Sequence, residues 1–284
     1  MSNPTNEAGH LTIGGVDALT LAHDYQTPLY VYDVGAIRAQ IRAFKRVFEE
    51  QHFAYAVSYA SKAFATVAMY QVAAQEHCHV DVVSGGELYT ARQAHFPMAD
   101  VSFHGNNKSR QELTEALAAG VGTIIVDNFD ELHLLGELLP TEPQRVQNIL
   151  LRVTPGISAH THAYISTGQV DSKFGFDVDS GQALDAARQA LANPQLHLLG
   201  VHAHIGSQTF SLDRFTRAPY TLAVHLPSRH HAPCFPPSAL NLAAGFAIRY
   251  TQTSSPLPAP PLVLLLSTAL CPSLLPFSSP PSSF

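Results

Sequence analysis

A lysine stands directly after an apolar run early in the chain. In the sequence VSYASKAF, Lys62 lies among Ala60, Ala63 and Phe64, at the end of a predicted strand. Apolar surroundings disfavour an ammonium ion, and a neutral lysine amine can condense with a carbonyl cofactor. The alternative is a lysine whose head group reaches water at the rim of the fold, and this residue alone leaves both interpretations open.

A second polar motif, HAHIGSQ at 202–208, follows the apolar run LHLLGV. His204 is predicted at the strand end, where its flat ring could cover a cofactor, and Gly206 and Ser207 form the turn after it. Backbone amides and a serine hydroxyl at such a turn suit a phosphate group. His202 and His204 could instead be two metal ligands, but no third ligand of suitable spacing stands out, so no metal is predicted. Core histidines hydrogen-bonded to neighbouring strands are the remaining alternative.

Two charged residues fall within apolar strands. Asp81 opens DVVSGGEL, and Arg152 lies in LLRVTP, where a buried charge without a partner would be costly. We therefore predict an Asp81–Arg152 pair, which would either serve the site or only fix the strand ends. The run FHGNNKS at 103–109 also puts polar residues at a strand end, and a helix-capping loop explains it equally well.

Apolar runs that alternate with helical patterns must position these residues. The predicted strands are FAYAVS (53–58), HVDVV (79–83), ADVSF (99–103), GTIIV (122–126), NILLRV (148–153), LHLLGVHAH (196–204) and ALNLA (239–243). This alternation predicts an α/β fold with a parallel sheet wrapped by helices. Ser109 and Glu112 form a capping box for a helix ending at Gly120, and Asp127 or Asn128 could cap the next helix.

Seven strands are one short of a TIM-type (β/α)₈ barrel. The earlier LYVY (29–32) and the predicted long helix 34–50 resemble a lead-in. An open doubly wound sheet would also fit the strand count. We favour the barrel because the polar, glycine-rich sequence follows strand ends, where barrel enzymes build their sites, although open sheets bind ligands there too.

The composition restricts the partners. The 284 residues are 46% hydrophobic with a net charge of −6, so the chain can build a core and shows no basic stripe for nucleic acid or a membrane surface. A small molecule is the expected partner. Three cysteines without metal spacing, and a start without a basic region or an apolar run, favour a cytoplasmic protein.

The character of the chain changes after Asp213. No acidic residue and no lysine follow it, whereas 13 of the 20 prolines do. The Leu-rich run 262–277 is interrupted by Pro272 and Pro276 and is too short to span a membrane. We expect a lead-in over 1–27, a cofactor-binding barrel domain over 28–250 that is irregular from 217 to 238, and a disordered tail over 251–284.

Seven motifs in order, TPLYVYD, YASKAF, DVVSGGEL, FHGNNKS, LLRVTPG, SKFGF and HAHIGSQ, resemble the alanine-racemase-type (fold type III) decarboxylases that use pyridoxal 5'-phosphate, and among them the diaminopimelate decarboxylases. The resemblance implies that Lys62 carries the cofactor, His204 stacks on its ring and Ser207 helps hold its phosphate. Asp81 and Arg152 match positions near the cofactor. The implied reaction converts meso-2,6-diaminopimelate to L-lysine and carbon dioxide.

The resemblance weakens towards the end of the chain. The family's glycine triplet, which grips the phosphate, corresponds to LNLAAGFAIRY at 240–250, where Gly245 matches the third glycine but Ala243 and Ala244 replace the others. Added Cβ atoms would crowd a phosphate. The family's EPGR segment, its eighth strand and the C-terminal β domain that completes the active site across a homodimer are not recognised. The alternatives are therefore a noncatalytic or inactive cofactor-binding fragment, or a decarboxylase of ornithine, arginine or a carboxylated polyamine.

The abrupt change in composition suggests a further hypothesis. Residues 217–284 would come partly from a shifted reading frame, with a brief return around Leu240 to Tyr250. Resequencing the coding DNA checks this, and a single uninterrupted frame would contradict it.

Overall fold

The computed structural model describes residues 4–52, 54–139, 146–154, 173–204 and 238–243. Ser207, Gly245 and the proline-rich tail lie outside these described residues, as does the predicted domain boundary at 250. The structure therefore covers the elements from the lead-in to the last predicted strand, with the gaps stated.

The lead-in consists of a small hairpin and two helices. Strands β1 (Thr12–Ile13) and β2 (Val16–Asp17) pair antiparallel and are followed by α1 (Ala18–Tyr25) and α2 (Val34–Glu50). Asp17 caps α1 and Asp33 caps α2 through carboxylate oxygens that accept backbone N–H groups. The prediction of a helix over 34–50 is confirmed at both ends, and the LYVY segment before it forms no strand.

The principal sheet contains seven parallel strands in a single path. They are β3 (Ser58–Ala60), β4 (His79–Val82), β5 (Val101–Phe103), β6 (Thr123–Val126), β7 (Gln147–Thr154), β9 (Leu196–His204) and β10 (Ala239–Ala243), paired in that order, and the short β8 (Phe176–Asp177) joins the end of β7. The sheet curves as part of a barrel, which confirms the predicted incomplete (β/α) barrel. Within the described residues, β3 and β10 are its two edges.

Six of the seven predicted strands agree with the structure to within two residues, but the first does not. The apolar run 53–58 was predicted as the strand, whereas β3 begins only at Ser58. Its partner β4 begins at His79, because the chain before it is still turning out of the preceding helix, where His77 has a φ of 51°. Pairing, and not apolar character, therefore determines where β3 starts.

Five helices cover the outer face of the sheet. They are α3 (Val67–Gln75), α4 (Gly85–Gln93), α5 (Arg110–Ala119), α6 (Phe129–Leu138) and α7 (Gln182–Ala192). The capping box of Ser109 and Glu112 is confirmed, and Asn128, not Asp127, caps α6. Of the helices in the described ranges, none combines the length and the apolar character that crossing a membrane requires.

The core lies between the sheet and these helices in two clusters. One contains Tyr70, Leu88 and Phe103 between α3, α4 and strands β4 and β5. The other contains Leu135 and Ile149 between α6, α7 and strands β6, β7 and β9. The helices therefore seal one face of the sheet with apolar side chains.

We expect Gly122→Ala to destabilise the fold strongly. Gly122 N–H donates to Met98 O at 2.8 Å, and a Cβ on Gly122 would lie 1.8 Å from the carbonyl oxygen of Ala99. Backbone atoms cannot yield as a flexible side chain can, so the cost should be about 3 kcal/mol or more. Urea denaturation followed by circular dichroism measures it.

Gly86→Ala is the matched control. Gly86 lies in the first turn of α4, where the nearest atom to an added Cβ is Ser84 Oγ at 3.8 Å. Alanine is favoured over glycine in helices by up to about 1 kcal/mol, so this variant should be as stable as the parent or more stable. Equal denaturation midpoints for the two variants would contradict the close backbone approach at Gly122.

Glu76, at the end of α3, holds the lead-in helix α2 against the barrel. Its carboxylate accepts hydrogen bonds from Arg38 Nη1 at 2.7 Å and from Arg42 Nε and Nη2 at 2.8 and 2.7 Å. Lys45, one turn further along α2, donates to the carbonyl oxygen of His77 at 3.0 Å. The bonds to Arg42 and then Arg38 lower the pKa of Glu76 to about 2.

Glu76→Gln should lower the free energy of unfolding at neutral pH, and the difference from the parent should disappear in acid. A carboxyl group whose pKa is depressed on folding stabilises the protein fully above its unfolded pKa, here 4.5, and loses that contribution as the pH falls through about 2. Urea titrations between pH 7 and pH 2 measure the difference. Glu115→Gln, at an exposed position of α5, is the control, and a Glu76 difference that stays constant with pH would refute the clamp.

Candidate active site at the carboxyl ends of the strands

Polar side chains gather at the carboxyl edge of the sheet. Asp81 lies in β4 opposite Ala60 of β3, and Arg152 lies in β7 opposite His202 of β9. Because all seven strands are parallel, their carboxyl ends meet at this edge, where barrel enzymes place their catalytic groups. Of the predicted site residues, Lys62, Asp81, Arg152 and His204 all lie there.

Lys62 lies in a short 3₁₀ turn, Ser61–Ala63, directly after β3. The buried hydroxyl of Ser61 lies within hydrogen-bond distance of the Asp81 carbonyl oxygen and 3.0 Å from Glu87 Oε2, and Glu87 Oε2 also accepts Val83 N–H at 2.7 Å. These contacts fix the turn that carries the lysine. The side chain of Lys62 is exposed, so the apolar enclosure expected from the sequence is not provided by the described residues.

The other three lysines of the sequence are engaged elsewhere or lie in a loop. Lys45 donates to the end of α3, Lys108 is buried in an ion pair, and Lys173 lies 5.1 Å from the ring of Phe174. Within the described part of the chain, Lys62 Nζ makes no hydrogen bond or ion pair. Among the described residues, Lys62 is therefore a lysine that directly follows a strand and whose amine is accessible to a ligand.

Asp81 is held by two neighbours through the same oxygen. Ser58 Oγ donates to Asp81 Oδ1 at 2.5 Å, and His104 Nε2 lies 3.4 Å from that oxygen, in ion-pair range but not hydrogen-bonded to it. Burial by itself would raise the pKa of Asp81, but His104 and Ser58 together outweigh burial and lower it. Asp81 is thus a carboxylate at neutral pH.

The predicted Asp81–Arg152 pair is wrong. Arg152 Nη1 lies 3.3 Å from Asp127 Oδ1, and Asp81 is paired with His104. The reason is the strand order: β5 and β6 separate β4 from β7, so each charge meets a closer neighbour. Asp127 directly follows β6, the strand beside Arg152.

The Arg152 guanidinium is enclosed by two contacts. Asp127 binds it on one side and the ring of Phe174 lies 4.2 Å from its Cζ. Asp127 Oδ2 in turn accepts the N–H of Gly175 at 3.1 Å. Burial lowers the pKa of Arg152 and raises that of Asp127, although each charge offsets part of the effect on the other. The pair fixes the position of Arg152 within the sheet edge.

A second buried pair, Lys108 and Glu131, was not recognised from the sequence. Lys108 Nζ lies 2.8 Å from Glu131 Oε1 and donates to the carbonyl oxygens of Ile125 at 2.9 Å and Gly105 at 2.6 Å. Burial lowers the pKa of Lys108 and raises that of Glu131. FHGNNKS is thus a capping loop, through Ser109, that also brings two polar side chains inward. The sequence signal that could have revealed this pair was Lys108, which directly precedes Ser109, the residue that caps α5.

The two histidines of HAHIGSQ differ in environment. His202 is 2% exposed, and its ring contacts that of His104 edge to face, with centroids 4.9 Å apart and an interplanar angle of 76°. Neither ring nitrogen of His202 has a hydrogen-bond partner among the described residues, so bonds of the predicted core-histidine kind are not seen there. Burial, reinforced by His104 and Arg152, lowers the pKa of His202 well below its usual value, so the ring is neutral.

His204 ends β9 and is partly exposed at the carboxyl edge. Its Cα partner in the sheet is Ala243, the last residue of β10 and the first position of the altered glycine triplet. His204 therefore stands beside the segment predicted to approach the phosphate. The described residues contain no group of histidine, cysteine, aspartate and glutamate side chains arranged to hold a metal ion.

Comparison with known proteins provides independent evidence. The family model of the pyridoxal-dependent decarboxylases, pyridoxal binding domain, matches residues 34–273. The diaminopimelate decarboxylases of Halalkalibacterium halodurans and Bacillus methanolicus are 52% and 54% identical over 89% of this chain and over 57% and 59% of their own lengths. The chain thus spans less than two thirds of these relatives.

A solved structure agrees with the sequence relatives. The diaminopimelate decarboxylase from M. jannaschii, in complex with L-lysine, superposes with a TM-score of 0.80 at 32% identity, covering 97% of this chain and 63% of that one. The half-barrel and the family match agree with each other. This chain belongs to the pyridoxal-dependent decarboxylases and contains their pyridoxal binding domain.

Proposed function

We propose that this chain is the cofactor-binding barrel of a diaminopimelate decarboxylase, which converts meso-2,6-diaminopimelate to L-lysine and carbon dioxide. Lys62 carries pyridoxal 5'-phosphate in this proposal. The observation that supports it most is the position of Lys62: an accessible amine directly after the first barrel strand, on the same edge as Asp81 and Arg152. Relatives of about half-identical sequence bear the name of this enzyme.

The side chains at the edge fit the chemistry of this cofactor. Its aldehyde requires a lysine amine that is not held in an ion pair, and Lys62 has none with the described residues. A polar aromatic ring requires a flat partner, which His204 offers at the end of β9. The polar groups of the cofactor require fixed charges, which Asp81 and Arg152 provide. Ser58 holds Asp81 through a hydrogen bond, and Asp127 holds Arg152 in an ion pair.

Each residue has a distinct part in the proposed reaction. When bound, pyridoxal phosphate accepts the electron pair left by departing carbon dioxide. Lys62 would hold the cofactor covalently through its amine, and His204 would cover one face of the ring. Ser207 and Gly245 hold the phosphate, as the family motif implies. Asp81 and Arg152 keep their charges at the cofactor because their neighbours restrict their orientation.

The substrate is a free amino acid in this proposal. Diaminopimelate is favoured over ornithine, arginine or a carboxylated polyamine by the residues of the motifs HAHIGSQ and FHGNNKS and by the names of the relatives. We place the enzyme in the cytoplasm, which the cysteine pattern supports: Cys78 is a buried free thiol, as expected in a reducing compartment.

A second candidate, a cofactor-binding chain without catalytic activity, is favoured by two observations. Lys62 is exposed, and β3 and β10 remain separate edges within the described residues. Decarboxylation on a cofactor depends on exclusion of water from the reacting groups. The two candidates share the covalent site at Lys62 and differ in turnover.

Lys62→Ala should eliminate covalent attachment of the cofactor. We expect borohydride reduction of the chain mixed with pyridoxal phosphate to leave one cofactor on the peptide that contains Lys62, detected by mass spectrometry. Lys173→Ala, which removes an exposed lysine from the loop beside Arg152, is the control and should keep the adduct. Equal labelling of all exposed lysines would show that no specific site exists.

The release of L-lysine and carbon dioxide from meso-diaminopimelate separates the two candidates. The decarboxylase proposal expects turnover with diaminopimelate, none with ornithine, and growth of a lysine auxotroph that lacks its own decarboxylase. A specific adduct on Lys62 without turnover would establish the noncatalytic candidate. Turnover of ornithine in preference to diaminopimelate would overturn the assigned substrate.

A further inference from the structure

A row of side chains crosses the inner side of the half-barrel from β3 to β9. Ser58 of β3 donates to Asp81 of β4, His104 at the end of β5 lies 3.4 Å from the same carboxylate, and His202 of β9 packs against His104. Strands β6 and β7 lie between β5 and β9 in the sheet, so the contact between the two histidine rings spans its concave side. The row therefore links side chains from four strands, β3, β4, β5 and β9.

His104 is placed rigidly within this row. Its backbone N–H donates to Val82 O at 2.7 Å, which extends the pairing of β4 and β5 by one residue. Its side chain is 10% exposed and is held between the Asp81 carboxylate and the edge-to-face contact with His202. The imidazole therefore has little freedom to turn away from Asp81.

Both neighbours of Asp81 act on one oxygen. Ser58 Oγ and His104 Nε2 approach Oδ1, and none of the hydrogen bonds among the described residues is made to Oδ2. A carboxylate restrained through one oxygen presents the other in a defined direction. Asp81 lies opposite Ala60, two residues before Lys62, so Oδ2 belongs to the same strand edge as the lysine.

We infer that His104 is a positioning residue for Asp81: it orients the carboxylate through Oδ1, is itself held by the ring of His202, and leaves Oδ2 for the cofactor. This inference rests on the proposed cofactor site. It gives FHGNNKS a part in the site beyond helix capping. It also accounts for a fully buried His202 whose nitrogens have no partners among the described residues, since the contribution of that ring is its contact with His104.

The electrostatic surroundings agree with this geometry. His104 is the strongest of the groups that lower the pKa of Asp81, ahead of Ser58 and of His79, an exposed residue at the start of β4. On the other side of the row, His104, Arg152, His204 and Lys108 all act to lower the pKa of His202. A neutral His202 therefore faces His104, and Asp81 is the anionic neighbour of His104 in the row.

The test follows the titration of Asp81 in the cofactor-free chain, by ¹³C NMR of labelled aspartate with the resonance assigned from Asp81→Asn. His104→Phe keeps a ring against His202 but removes the nitrogen near Oδ1, and we expect the Asp81 pKa to rise by about one unit or more. His104→Gln keeps a side-chain N–H group on the same loop position and should give a smaller rise, which also covers the case in which the phenylalanine variant does not fold. His202→Phe should leave the titration nearly unchanged.

His79→Gln is the matched control, because His79 lies on the same strand as Asp81 but is exposed and pairs loosely with Asp100 at 3.7 Å. Equal shifts for the His79 and His104 variants, or no shift for either, would overturn the positioning role. The second readout is the pH profile of borohydride-trapped cofactor on Lys62, whose acid limb should move to higher pH in His104→Phe. If the parent traps no cofactor, the proposed function fails, while the Asp81 titration still decides the contact.

Discussion

Parallel pairing of the strands is the constraint on which this structure depends. Because seven strands run in the same direction, every strand delivers the residue after its last pair to one edge of the sheet. Lys62, Asp81, His104 and His204 come from segments separated by up to about 140 residues of sequence, yet they share this edge. The helices return the chain to the opposite edge each time, and their apolar faces stabilise the sheet without occupying the site.

The buried charges at that edge are tolerated because each has a partner close by. Lys108 meets Glu131, Arg152 meets Asp127, and Asp81 meets His104 and Ser58. An isolated charge in such a place would be expensive, and a pair that is broken leaves the remaining charge uncompensated. These pairs contribute little net stability compared with apolar packing, but they fix the orientation of the paired side chains. The network is therefore a means of positioning.

The environment of Lys62 shows what a half-barrel can and cannot supply. Ser61 and Glu87 hold the turn that carries the lysine, so its backbone is in place. The described residues leave its side chain exposed, since β3 is an edge of the sheet. The relatives of this chain are longer, and the chain spans 57–59% of two of them. Placement of the lysine backbone and enclosure of its side chain are thus separable properties, and the described half-barrel accounts for the first.

Local patterns in the sequence determined the elements. The bounds of α2, β9 and β10 follow from apolar periodicity, and Ser109, Asn128 and Gly120 mark helix ends because their side chain or backbone freedom satisfies local hydrogen bonds. The motifs around Lys62 and His204 pointed to the family because each is a continuous stretch of sequence, which can be recognised without knowledge of the fold.

Tertiary structure alone decided which charges meet. Strand order kept Asp81 apart from Arg152 and gave each a different partner, and it brought His104 to His202 across nearly 100 residues of sequence. Pairing with β4 also determined that β3 begins at Ser58 and not earlier in the apolar run. Such contacts depend on the order and curvature of strands, which no local pattern encodes, because the energy of an ion pair depends on distance in space and not on separation along the chain.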